Sequence, residues 1–167
     1  MKIQAWDELF MRYAYLISQK SKDPSTKIGA VLVKGGDTDV LSCAYNGFPR
    51  GISDKEELYL NRECKHKLVC HSEFNAIVNA ARKGVSTLDT ILYTPATVCS
   101  ECAKIIIQAG VREIIYHKQY PRFDHLPKWE ESCKLAKALL EEAGVKTREF
   151  DMVLSIQTLL NGKIINC

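Results

Sequence analysis

The sequence predicts an α/β protein: a three-layer α/β/α sandwich built on a five-stranded mixed sheet. Three observations predict it. An apolar β-hairpin pattern stands near the N-terminus, at IGAVLVK and TDVLSCAY. Helical and strand patterns then alternate three times. Each of those three helical patterns stops at a glycine, Gly84, Gly110 or Gly144, as helix C-termini often do. Alternation of this kind brings parallel strands joined by helical crossovers, and the leading hairpin adds an antiparallel start.

The elements follow in order. Ile3, Trp6, Leu9, Phe10, Tyr13, Leu16 and Ile17 recur at helical spacing and predict an amphipathic helix over about 3–20. SKDPSTK is a polar, proline-bearing loop. Ile28–Lys34 and Thr38–Tyr45 are the hairpin strands around a GGD turn. Asn46–Asp54 is rich in turn residues, and KEELYLNRECKHKL is either a short helix or a long loop. His71 to about Lys83 is a helix with Phe74, Ile77 and Val78 as its apolar face. Thr90–Thr94 is a strand, Cys99–Ala109 a helix and Glu113–His117 a strand. Trp129–Ala143 is a helix and Val145–Phe150 the last strand. The tail, 151–167, has no clear pattern, so one domain is expected over 1–167 with its core at about 5–150.

Composition narrows the classes. The 167 residues are 46% hydrophobic and 26% charged, as in ordinary globular chains. A net charge of +3 is too small to argue for a nucleic-acid partner. No apolar run approaches the ~20 residues that span a bilayer. The N-terminus carries Asp7 and Glu8 and does not resemble a signal peptide. Seven cysteines, an odd number, suit reduced thiols better than a disulfide framework, and a cytoplasmic location is expected.

Two cysteines carry the chemistry. Cys99 and Cys102 stand three apart at a helix start, where they face the same way and the helix dipole favours thiolate. Alone, the pair is either a metal site or two core cysteines. The first residue of the other central helix changes the balance. His71 supplies a third, neutral ligand and leaves a fourth position open, as catalytic zinc requires. Glu73, two residues on, is then a proton carrier rather than a ligand. H-x-E at one helix start and C-x-x-C at the next resemble the zinc deaminase signature. There is no phosphate-binding glycine loop of the Walker or dinucleotide type. Cys64, His66 and Cys70 invite a second metal but offer three soft ligands, one of them adjacent to His71.

CHSEFNAIVNAARKG, followed by LYTPATVCSECAKIIIQAGVREIIY, resembles the cytidine deaminase superfamily, and within it the deoxycytidylate (dCMP) deaminases. SKDPSTKIGAVLV and AYNGFPRG are similar to two further segments of that family. The resemblance implies a cytidine deaminase-like fold and zinc-dependent hydrolysis of dCMP to dUMP and ammonia, supplying thymidylate synthesis. By position it implies His71, Cys99 and Cys102 as zinc ligands and Glu73 as the catalytic residue. It implies that Ser72 binds the pyrimidine oxygen through its N–H, and that Asn46 holds the sugar 3′-hydroxyl. It sets Ser25, Thr26 and Lys27 near the 5′-phosphate. Lys22, Lys27 and Arg50 are the nearby cations, each either a phosphate contact or a solvated surface group. Tyr116, at a parallel strand end, is either a ligand contact or core. The resemblance also implies a homohexamer, activated by dCTP and inhibited by dTTP with Mg²⁺. The Asn46–Asp54 loop is either a plain turn or the effector site, with Asn46, Gly47, Arg50, Gly51 and Asp54 as its residues. Three positions depart from the family pattern: Ser72 stands for alanine, Val98 for proline and Ala44 for glycine.

Competing functions on the same fold are deamination of cytidine, cytosine or dCTP, or of a tRNA adenosine. A tRNA enzyme needs a basic, aromatic face, and HKQYPRF at His117–Phe123 is the one small patch of that kind. A nucleotide sensor without catalysis would have no use for Glu73.

Overall fold

The computed structural model describes residues 3–121 and 127–167. The expected alternation is present. α1 (Ile3–Ser18) precedes the hairpin β1 (Gly29–Lys34) and β2 (Val40–Tyr45). Two short helices follow, α2 (Glu56–Leu60) and α3 (Arg62–Leu68). Then come α4 (Ser72–Arg82), β3 (Thr90–Thr94), α5 (Ser100–Gln108), β4 (Val111–His117), α6 (Pro127–Glu142) and β5 (Lys146–Phe150). The five strands form one sheet in the order β2-β1-β3-β4-β5. β1 runs antiparallel to both β2 and β3, while β3, β4 and β5 are parallel. Among the described residues no helix is long and apolar enough to cross a membrane.

Strand alternation sends side chains to two cores. Ala30, Leu32, Leu92 and Ile114 face α4, α5 and α6, where Ala76, Ala103, Ile106 and Leu140 meet them. Val31, Val33, Tyr93 and Ile115 face the other way, against Phe10, Met11 and Ala14 of α1. Each fully buried Leu or Ile contributes about 1.5–3 kcal/mol. α1 lies so close to β1 that a Cβ on Gly29 would collide with the Ala14 carbonyl oxygen.

Two helical faces differ from expectation. On α4 the buried residues are Ser72, Glu73, Ala76, Ile77 and Ala80, while Phe74 and Val78 are exposed. The helix lies on the sheet through small residues and Ile77, while Phe74 and Val78 point outward. On α1, Leu9 and Leu16 are exposed, whereas Asp7, Met11 and Tyr15 are buried. The undecided stretch before His71 is the α2–α3 pair.

The tail forms a second, two-stranded sheet, β6 (Gln157–Leu160) and β7 (Lys163–Asn166). Its turn is Asn161–Gly162, both at positive φ (50° and 76°), the two-residue turn that matches strand twist. Leu154, Leu160 and Cys167 are buried against the α1 side of the large sheet. In the HKQYPRF patch His117 and Tyr120 are buried, and Arg122 and Phe123 lie outside the described residues.

Candidate active site

The site is built on two helix ends. His71 is the N-cap of α4 and Cys99 the N-cap of α5, both with extended backbone and neither capping its helix with its side chain. Residues in this position project off the helix end instead of along it. The two ends lie side by side, and Cys102 sits one turn into α5. His71 Nδ1 stands 3.4 Å from Cys99 Sγ and 3.4 Å from Cys102 Sγ. All three ligand atoms lie within 4.8 Å of one another, and this is the one such cluster of three among the described residues. The donor set fits zinc: tetrahedral coordination with ordinary Zn–S and Zn–N bonds puts nitrogen and sulfur about 3.6 Å apart.

Electrostatics favour a cation there. The Cys99 thiol is pulled down to about 4, first by the hydrogen bond from Cys102 and then by His71, against the penalty of burial. Cys102 is pushed well above the ordinary thiol range because it donates that bond and is buried beside Glu73 and Cys99. Burial works to lower His71, but the Cys99 hydrogen bond and the charges of Glu73 and Cys99 raise it to about 9. Thiolate is thus stabilised at Cys99, the form that binds a soft metal.

Glu73 is 4% exposed. Burial raises its carboxyl above the usual carboxylate range, opposed by the His71 charge and the Ser72 hydrogen bond. Ser72, fully buried, donates its hydroxyl to Glu73 Oε2 at 2.9 Å. Its side chain therefore touches the central carboxylate, where an alanine has nothing to donate. Val98 is packed into the core, and Tyr116 packs there too. The Tyr116 hydroxyl has its pKa raised, first by burial and then by the charge of Glu73.

One cavity of about 720 Å³ opens over this cluster. His71, Ser72, Glu73 and Cys99 line it, as do Trp129 and Cys133. The Trp129 ring lies 5.9 Å from that of His71. Ser25, Thr26 and Asn46 also line the cavity, whereas Lys22, Lys27, Arg50 and Tyr116 are not in its wall. Asn46 spends its side chain on the protein. It accepts from the Ile28 N–H at 2.9 Å and donates to the Thr26 carbonyl at 2.9 Å. Arg50 donates to Asn79 Oδ1, away from the cavity. In the Asn46–Asp54 loop, Gly47 pairs with Cys70, Gly51 has φ +84°, and Asp54 accepts from the Tyr59 hydroxyl.

Among the described residues, the Lys and Arg side chains in the cavity wall are Arg62 and Lys65, from α3. Lys65 pairs with Asp23 at 2.8 Å and donates to the Ser25 hydroxyl. Buried Asp23 also accepts from the N–H groups of Ser25 and Thr26. This network was illegible in the sequence because α3 is inserted, and its side chains reach the Ser25 loop only in three dimensions. The basic run RECKHK just before His71 was the available signal.

A mixed sheet whose crossover helices converge on a His-Cys-Cys cluster is the arrangement of a zinc-binding deaminase region. The sequence model of the "Cytidine and deoxycytidylate deaminase zinc-binding region" matches residues 4–118, and the chain belongs to that family. Deoxycytidylate deaminases of Pongo abelii and Mus musculus are 37% and 40% identical, over 87% of this chain and 79% of each relative. The crystal structure of dCMP deaminase from cyanophage S-TIM5, in complex with dCMP and dUMP, superposes with a TM-score of 0.66. It has 28% identity over 89% of this chain and 98% of that one.

Proposed function

We propose that the chain is a zinc-dependent dCMP deaminase, acting as one domain over 1–167. The observation that carries this reading is the buried Glu73 carboxylate in one cavity with His71 and Cys99, whose ligand atoms cluster with that of Cys102. Likeness to enzymes named for deoxycytidylate supports the substrate. His71, Cys99 and Cys102 hold the zinc, which when bound activates water and polarises the bond to be attacked. The chain's own residues do the rest. Glu73 takes the proton released as the C4–O bond forms and gives it to the ring nitrogen. It then takes the remaining proton from the new C4 hydroxyl, as that oxygen becomes the carbonyl, and delivers it to the departing amine. The C4–N bond breaks, and dUMP and ammonia leave. Ser72 binds the pyrimidine oxygen through its N–H and steadies Glu73 through its hydroxyl. Asn46, through the groups it orients, and the Ser25–Lys27 loop hold the sugar and phosphate side. Lys65 and Arg62 supply the positive charge there, which a monophosphate needs.

The product supplies thymidylate synthesis in the cytoplasm. Control by dCTP and by dTTP with Mg²⁺ acts through the Asn46–Asp54 loop in a homohexamer. Support for that step is the family resemblance and the Gly47–Cys70 pairing, which ties the loop to the residue before His71.

The test is deamination of dCMP by the zinc-loaded protein, with cytidine, dCTP and cytosine beside it, each with and without dTTP. Turnover of dCMP suppressed by dTTP is expected. Activity on another substrate without dCMP turnover overturns the substrate and phosphate assignments and leaves the zinc chemistry standing.

A further inference from the structure

The C-terminal hairpin contributes nothing to the large sheet or the metal cluster, yet its tip lies at the cavity. Four hydrogen bonds fasten it to the loop that follows Asp23. The Lys27 N–H donates to the Leu159 carbonyl at 2.9 Å, and the Gly162 N–H to the Ser25 carbonyl at 2.7 Å. The Asn161 N–H donates to Thr26 Oγ1 at 3.1 Å, and the Thr158 hydroxyl to the Lys27 carbonyl at 3.3 Å. Ile156 and Cys167 exchange both backbone bonds and close the hairpin at its base, and Arg12 holds the chain leading into it by donating to the Leu154 carbonyl at 3.1 Å. The result is a continuous wall. Lys65 touches Ser25, Ser25 and Thr26 touch the hairpin, and Asn161 joins Ser25, Thr26, Arg62 and Lys65 in lining the cavity.

We propose that the C-terminal hairpin completes the substrate site, with Asn161 contacting the phosphate-bearing end of the nucleotide. This rests on the reading above that the ligand is a cytosine nucleotide. Asn161 has two qualifications. It is a non-glycine residue that tolerates the left-handed φ of 50° demanded by the turn. Its amide also donates hydrogen bonds to an anion without adding charge. The Arg62–Lys65 side supplies the charge, and the hairpin side supplies a neutral donor and fixes the spacing.

Calorimetry with dUMP and with deoxyuridine, on wild type, Asn161→Asp and Asn161→Gly, tests this without turnover. Aspartate keeps the turn and shape but sets a carboxylate against the phosphate. Glycine keeps the turn and removes the amide. Wild type is expected to bind dUMP more tightly than deoxyuridine. Asn161→Asp should weaken dUMP at least about tenfold and deoxyuridine less than about twofold, and Asn161→Gly should weaken dUMP about threefold to fivefold. Dissociation constants for dUMP within twofold of wild type in Asn161→Asp overturn the proposal. So do equal losses for both ligands, or a wild type that does not distinguish them. A wild type that binds dUMP yet fails to deaminate dCMP sinks the proposed function and leaves Asn161 to be judged on binding.

Discussion

Two buried carboxylates, Asp7 behind the sheet and Glu73 in front of it, are treated oppositely. Behind the sheet, Asp7 is 3% exposed and fully partnered. It accepts Arg148 Nη1 at 2.7 Å, Arg148 Nη2 at 3.1 Å and the Tyr93 hydroxyl at 2.8 Å. In front, Glu73 is 4% exposed, accepts from the Ser72 hydroxyl, and has no Lys or Arg partner among the described residues. A buried charge that is forked by a guanidinium ties α1 to β5 and goes no further. A buried carboxyl with no such fork, held beside an open cavity with its affinity for a proton raised, is the kind of perturbed cleft group that marks a functional site. The fold uses one chemistry for architecture and for reaction, and the pairing decides which.

The largest effect that sharpens this contrast is at the metal cluster. Cys102→Ala should take zinc from about one per chain to a small fraction of that, with activity, because two remaining ligands do not hold a catalytic site. Elemental analysis reads it, and full occupancy would remove Cys102 from the ligand set. Glu73→Gln should cost about 10²–10⁴-fold in turnover, the usual worth of a proton carrier, while zinc and melting temperature hold. Turnover within tenfold of wild type would refute the role given to Glu73.

Asp7→Asn is the mirror experiment. Turnover should stay close to wild type while stability falls by about 2 kcal/mol, the cost of breaking a buried pair discounted for the outer, solvated side of Arg148. Urea unfolding beside a steady-state assay separates the two variants. If Asp7→Asn loses turnover without losing stability, the two faces are not divided as described.

The front face was legible in the sequence, and the back face was not. Helix starts, cysteine spacing and glycine stops are local signals, so His71, Glu73, Cys99 and Cys102 could be singled out before their arrangement was seen. Asp7 and Arg148 stand 141 residues apart and meet only because β5 forms the far edge of the sheet beside β4. Arg62 and Lys65 were hidden for the same reason. Phe74 and Val78 misled because periodicity marks an apolar stripe without saying whether small residues beside it make the closer contact, as Ala76 and Ala80 do. The tail is a different case. LLNGKII carries an Asn-Gly turn between apolar pairs, a strong hairpin signal, and its brevity hid it.

The smallest effect concerns the back face alone. His117 is 2% exposed. The Tyr15 hydroxyl lies 2.6 Å from its Nδ1, and its Nε2 lies 2.7 Å from the Met152 carbonyl, which joins β4 to the start of the tail. A neutral ring accepting at Nδ1 and donating from Nε2 satisfies both contacts. Burial lowers the pKa of His117 below its ordinary value, against the pull of the Met152 carbonyl and the Asp151 charge. The folded state therefore binds this proton less readily than the unfolded chain. Its contribution to stability is whole above the ordinary histidine value of about 6.5 and is lost as pH falls through the depressed folded value. Between about pH 7.5 and 5.5, wild type should lose more of its urea midpoint than His117→Gln, whose amide keeps a donor for Met152 without titrating. Acid also weakens metal binding, but both proteins share that loss and the difference between them cancels it. Equal slopes in the two proteins would mean that the tail is held by its apolar contacts, Leu154, Leu160 and Cys167, and that the His117 proton plays no part in it.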